Sequence, residues 1–317
     1  MAGLTLFIFG VTQLAQGLGD LNSERMRRVT ARFTQNRLAG VATGFVATTL
    51  LESSSVTIIM VIAMVSGGVL TFVQSLGVIL GANIGTGVGA QIIALDIERY
   101  VPILMLSGLL ILFLGRSDTK KKLGIIVLGF GLMFYGLEAI DDAVKPLRDY
   151  QPFMDAMQTL GDNPALGAMF GALFTVVIQS SSAAIAIVIT LAGSGLMTLP
   201  AGIAIMLGAE IGTCADTLLA SIGRGRPALR TGLFHLAFNL VSACIGVALA
   251  PVFVELVRAI SGGAGIGRQI AHAQMIFNCV GVALVLPFLP AIARLLERLI
   301  PDRSSTPAEA SAPLPAQ

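Results

Sequence analysis

From its first residues to about position 290, the chain is a succession of uncharged apolar runs, each close to the length that crosses a bilayer. A spanning helix takes about 20 mostly apolar residues, and backbone polar groups at that depth must be satisfied internally. The runs do not alternate apolar and polar residues, so a transmembrane β-barrel is excluded. Only 12% of residues are charged, against roughly a quarter in a soluble domain. All 20 Lys and Arg lie between the runs or at the ends. The chain is therefore an all-α polytopic membrane protein.

Two stretches inside these runs repeat. TLLESSSVTI covers residues 49–58 and VVIQSSSAAI covers 176–185, which puts Glu52 and Gln179 127 positions apart. At that offset residues 40–86 match 167–213 without a gap, with 17 identities in 47 positions. The matches include all three serines and the elements GANIGT (81–86) and GAEIGT (208–213). Apolar composition alone does not place SSS and GAxIGT in one register, so the chain reads as a duplication. Residues 1–122 form the first repeat and 123–250 the second. A C-terminal span occupies 251–303, and 304–317 form a polar, Pro/Ala-rich tail expected to be disordered.

The first repeat reads as a span at 3–19, a basic interfacial stretch at 22–37, an interrupted region at 39–66, and spans at 69–95 and 100–115. The second reads as a span at 123–140, an acidic connector at 141–163, an interrupted region at 165–194, and spans at 196–222 and 231–250. A last span covers about 270–292. The first segment lacks a basic leader and a small-residue cleavage site, so it reads as a retained helix. Each interrupted region has about a dozen apolar residues on either side of its polar break, too few to span twice. Each is expected to be a re-entrant helical hairpin that enters and leaves on one side. Three full spans per repeat then insert the second copy in the opposite sense, the inverted-repeat plan with broken helices. With the N-terminus outside and the C-terminus cytoplasmic, 15 of the 20 Lys and Arg lie inside. Arg99, Lys145, Arg148, Arg258 and Arg268 stay outside, as the positive-inside rule requires. The excess of Arg over Lys and the short loops point to a prokaryotic inner membrane.

A serine at a helix N-terminus satisfies an orphan backbone N–H. The same place attracts anions, through free N–H groups and the positive end of the helix dipole. The carbonyl end of the preceding half-helix suits a hard cation. Two opposed tips of this kind would surround an oxyanion and its counter-cations. The alternative is that the serines bond only the preceding turn or a neighbouring helix. Two copies in register, each behind a polar residue in an apolar run, favour the binding role. The glycines of GANIGT and GAEIGT suit either unwound backbone at the site or a close helix contact. Asn83 and Glu210 are expected to reach the site, since a carboxylate inside a membrane is costly and generally functional. HLAFN (235–239) and QMIFN (274–278) pair His235 with Gln274 and Asn239 with Asn278; the packed, structural role is preferred for His235. His272 is expected near an interface, and Asp216 either paired with Arg224 or in a vestibule. Cys214, Cys244 and Cys279 have no metal-ligand spacing and imply no disulfide framework. A net charge of +2 points to no nucleic-acid partner.

These motifs make the sequence similar to the type II sodium-dependent phosphate cotransporter family, over about residues 3–290. The features shared are duplicated QSSS motifs, each followed by a GANIGT-like element, and later FN-containing helices. The resemblance implies sodium-coupled uptake of inorganic phosphate by a two-repeat fold, with sodium as coupling ion and no other cofactor. It implies substrate binding by Ser53, Ser54, Ser55, Gln179, Ser180, Ser181, Ser182, Asn83, Thr86 and Thr213. It implies ion coupling through Glu52, Glu210, Thr48, Thr175, Asn239 and Asn278, with sodium at the tips near Glu52, Ser55, Gln179 and Ser182. The partners are phosphate or a related oxyanion, sodium, the lipid bilayer and, as a further expectation, a second copy in a homodimer. Two departures stand out: Glu52 replaces the motif's Gln, and Glu210 replaces the Asn of the first repeat. An ionised Glu cannot donate to an oxyanion and repels it. Glu52 is then protonated when substrate binds, or holds a cation, or the substrate is another anion. No mid-span Lys or Arg neutralises an anion, so bound cations and helix dipoles must. A proton-coupled carrier of another anion and a non-transporting scaffold or sensor are the competing readings. An enzyme is disfavoured, because no nucleophile–His–carboxylate grouping, HExxH or phosphate-cradling loop is present.

Overall fold

The computed structural model describes residues 2–14, 16–17, 36–95 and 97–302. Most of the basic stretch at 22–37, and all of the tail at 304–317, fall outside them. The described chain is helical: α1 (Ala2–Leu14), α2 (Arg37–Leu51), α3 (Ser54–Ser66), α4 (Phe72–Ile93), α5 (Val101–Leu114), α6 (Asp118–Val144), α7 (Gln151–Asp162) and α8 (Pro164–Ile178). Then come α9 (Ser181–Gly193), α10 (Leu199–Gly212), α11 (Cys214–Ser221), α12 (Arg226–Ala248), α13 (Ala250–Ser261), α14 (Ile266–Val285) and α15 (Leu289–Leu299). Five helical segments are long and apolar enough to cross a membrane: α4, α6 with its 3₁₀ extension, α10–α11, α12, and α14–α15.

The interrupted regions break where the sequence predicts. α2–α3 and α8–α9 are two half-helix pairs, offset by 127 positions at all four ends. Asn36 caps α2 by accepting from Ala39 N at 2.7 Å, and Asn163 caps α8 by accepting from Leu166 N at 3.1 Å. α4 and α10 form the centre, with Leu76, Val78, Ile79, Leu80, Ile203, Met206 and Leu207 fully buried. Glycine lets the half-helices lie against them. A Cβ at Gly81 would be 1.9 Å from the Val41 carbonyl oxygen, and one at Gly208 1.8 Å from that of Ala168. α4 is helical through residues 81–86, so its glycines serve close packing; unwound backbone there is not found. α10 ends at Gly212 and α11 restarts at Cys214, so the second copy's helix is interrupted at Thr213.

Three elements differ from the expectation. The connector at 141–163 contains a helix, α7, which meets α8 at 113° across Asn163. Its apolar residues fall on one face, with Met157 and Leu160 buried. α13 and α15 are also amphipathic helices, in the parts of 251–303 that flank the crossing expected at about 270–292. α15 is tied down at its end. Buried Arg230 of α12 donates through Nε to the Ile300 carbonyl at 2.7 Å and pairs with Asp302 at 2.8 Å. Its guanidinium also stacks over Phe72. Lys145 contacts Asp142 at 2.6 Å and Asp141 at 3.4 Å.

Candidate functional site

The two breaks, termed tips, are built alike. After α2 and α8, the next residue turns left-handed: Glu52 at φ 49°, ψ 25° and Gln179 at φ 57°, ψ 25°. These are the two non-glycine residues with positive φ among the described residues, a conformation that strains an L-residue and marks a site to inspect. The first serine of each triplet is extended, with φ −153° at both Ser53 and Ser180. Each caps the next helix at 3.2 Å, Ser53 Oγ accepting from Val56 N and Ser180 Oγ from Ala183 N. The capping role of serine is thus confined to one residue of three. The second and third serines lie in the first turns of α3 and α9, where backbone N–H groups lack intrahelical partners.

The tips also touch one another. Ser55 Oγ lies 3.3 Å from Thr213 Oγ1, which donates to Ser181 Oγ at 3.3 Å. Ser182 donates to the Glu52 carbonyl at 3.4 Å. Both tips open onto one cavity of about 460 Å³, lined by Glu52, Ser53, Ser55 and Gln179–Ser182. Phe7, Ile8, Val11, Thr12 and Gln16 of the first helical segment complete its wall. Among the described residues, no Lys or Arg lines it.

Two smaller chambers flank this cavity, and they correspond residue by residue at the 127 offset. The first, about 10 Å³, is lined by Thr48, Glu52, Ser53, Ser54, Gly85, Thr86, Gly89 and Ser182. The second, about 110 Å³, has Thr175, Gln179, Ser180, Ser181, Gly212, Thr213, Asp216 and Ser55 at the equivalent positions, with Val176, Ala215 and Leu219 alongside. Each chamber therefore takes the third serine of the opposite motif. Thr48 donates to Thr57 Oγ1 at 3.1 Å. The residue equivalent to Thr57 is Ala184, and Thr175 Oγ1 is buried without a hydrogen-bond partner among the described residues.

The other predicted residues gather elsewhere. Buried Glu210 accepts from Gln274 Nε2 at 2.8 Å and from Asn278 Nδ2 at 3.2 Å, both through Oε1. Asn239 donates to the His235 carbonyl at 3.1 Å. The side-chain oxygens of Asn239, Gln274 and Asn278 are buried and unpartnered among the described residues. Asn83 donates to the Ile79 carbonyl of its own helix at 2.9 Å and lines none of the three cavities. His235 is packed, with Nδ1 2.8 Å from Thr217 Oγ1. His272 bonds Ser261 at 3.0 Å. Asp216 takes the vestibule option: it accepts from Thr217 N at 3.0 Å and lines the second chamber, and no ion pair to Arg224 is found among the described residues. Sequence reasoning left Gly89, Asp216 and Gln274 outside the site set. Carrying the 127 offset three residues past GANIGT would have paired Gly89 with Asp216.

Multiple apolar helices, with two serine-tipped helix breaks meeting on a shared cavity, define a multi-pass membrane protein. The chain belongs to the Na+/Pi-cotransporter family, whose defining pattern matches residues 6–142 and 149–286. It is 28% identical to the uncharacterized protein YqeW of Bacillus subtilis, over 95% of this chain and 97% of that one. It is 27% identical to the "Putative inorganic phosphate export protein YjbB" of Escherichia coli, over 95% of this chain and 55% of the relative. Human sodium-dependent phosphate transport protein 2B is 36% identical, over 45% of this chain and 23% of its own length. No solved structure matches the chain. The family transports phosphate with sodium and is not an enzyme family.

Proposed function

We propose that the protein is a secondary active transporter that takes up inorganic phosphate coupled to sodium, with substrate and ions held between the two tips. The observation that carries this reading is the convergence of both serine triplets on one cavity of about 460 Å³, with Ser55 bonded across to Thr213. Phosphate would lie against the first turns of α3 and α9, where N–H groups and helix dipoles favour an anion. The hydroxyls of Ser55, Ser181 and Ser182 supply rotatable donors. Sodium would occupy the flanking chambers, where Glu52, Gln179, Ser54, Thr48, Thr86 and Thr175 offer oxygen ligands of the kind hard cations prefer. With no cationic side chain lining the cavity among the described residues, these ions supply the positive charge. The two repeats would lie in opposite orientation in the inner membrane, N-terminus outside and C-terminus cytoplasmic, so that the chambers face the cavity from opposite sides.

The test is labelled-phosphate uptake by the purified protein in proteoliposomes, with an imposed sodium gradient. Uptake that follows inward sodium and collapses in Ser55→Ala and Ser182→Ala is expected. Sodium-independent flux would remove the coupling, and flux driven only outward would reverse the direction.

A further inference from the structure

We infer that the two flanking chambers are charge-equivalent cation sites, in which one carboxylate is retained but has moved from the hairpin tip to the facing helix. This inference rests on the sodium sites proposed above and names what makes them alike. At the 127 offset Glu52 corresponds to Gln179, and Gly89 to Asp216. The first chamber thus has Glu at its tip and Gly on α4; the second has Gln at its tip and Asp on α11. Each holds one carboxylate, and the facing position is uncharged.

In the first chamber the end of the Glu52 side chain, like that of a Gln in its place, must swing aside to admit a side chain at position 89. The Glu52 side chain reaches across so that a Cβ built at Gly89 would lie 2.9 Å from its Oε2. Glu52 fills the space a side chain at 89 would use, which accounts for the small volume there. In the second chamber the shorter Asp216 approaches from the other wall and leaves about 110 Å³ open. Thr175 Oγ1 is buried in that wall, unpartnered among the described residues, and presents its free lone pairs to a ligand. A carboxylate, a hydroxyl and an amide oxygen form a ligand set for a monovalent hard cation. The exchange also resolves the mismatch at Glu52. A cation held beside it neutralises the tip, so the cavity can accept an oxyanion only after the cation is in place.

The experiment is equilibrium binding of radioactive sodium to purified protein without phosphate, so that it is independent of transport. Wild type, Glu52→Gln, Glu52→Gln/Gly89→Asp, Asp216→Gly and Asp216→Gly/Gln179→Glu are compared. Each single variant is expected to weaken one sodium site at least about tenfold. Each double variant, which moves the carboxylate to its counterpart position, is expected to restore the site. Single losses without rescue in either double variant would overturn the exchange while leaving sodium binding at the tips intact. No sodium binding by wild type would overturn both readings. Should Asp216→Gly fail to purify, the Glu52 pair alone decides, because the end of the Glu52 side chain is the one neighbour near a Cβ at position 89.

Discussion

Replacing Gly208 with Ala tests whether the half-helices lie against their partners as described. A Cβ there would be 1.8 Å from the Ala168 carbonyl oxygen and 2.6 Å from its carbon. Ordinary contact begins near 3.4 Å, so α8 and α10 must part by roughly 1.5 Å. The obstruction is backbone and cannot rotate away. Overpacking of this kind costs about 1–3 kcal/mol and occasionally more; the upper end is expected. The same separation carries Gln179 at the end of α8 away from Thr213 after α10, so transport should fall with stability. Gly193→Ala is the control. Nothing lies within 4 Å of its built Cβ, and at the last residue of α9 the exchange should be close to neutral or slightly stabilising. Unfolding in detergent, followed by thermal and denaturant midpoints, reads both. A Gly208→Ala protein as stable as wild type, or a Gly193→Ala protein equally damaged, would refute the packing argument.

Glu210→Ala strands the buried amides of Gln274 and Asn278, at about 1–3 kcal/mol for each unsatisfied group. Glu210→Gln, which keeps an acceptor in place, should be far milder; denaturant midpoints separate them. Arg230→Ala removes the bonds to Ile300 and Asp302 and should destabilise by about 2 kcal/mol. Limited proteolysis should then cut faster at the end of α15. Ser53→Ala and Ser180→Ala each lose an N-cap worth about 1 kcal/mol, and should cost uptake beyond what that loss of stability explains. Uptake by Glu52→Gln across pH separates a bound cation from a carried proton. A pH profile matching that of wild type would rule out Glu52 as the proton carrier.

The two helix breaks were legible because duplication writes the same break twice. Two serine triplets behind a polar residue, in register with GAxIGT, located both breaks, but not which serine of each triplet caps the following helix. α7, α13 and α15 were not, because amphipathic helices beside a membrane lack the long apolar signal of a span. Asn83 and Glu210 were read as equivalents from matched positions. Yet Asn83 turns back on its own helix, whereas Glu210 meets α14 through Gln274 and Asn278. Contacts between distant helices leave no trace in spacing. Asp216 was read as a partner of Arg224 or a vestibule residue, but not as part of the site, since nothing local links it to a motif ending at Thr213.

The central claim is that one chamber between the tips holds an oxyanion with its cations. Equilibrium binding of labelled phosphate to the detergent-purified protein, in sodium and then in potassium, tests it most directly. Saturable binding in sodium, lost in potassium and lost again in a Ser55→Ala/Ser182→Ala protein that remains folded, is the predicted result. Undiminished binding by that double variant would place the anion elsewhere and contradict the account.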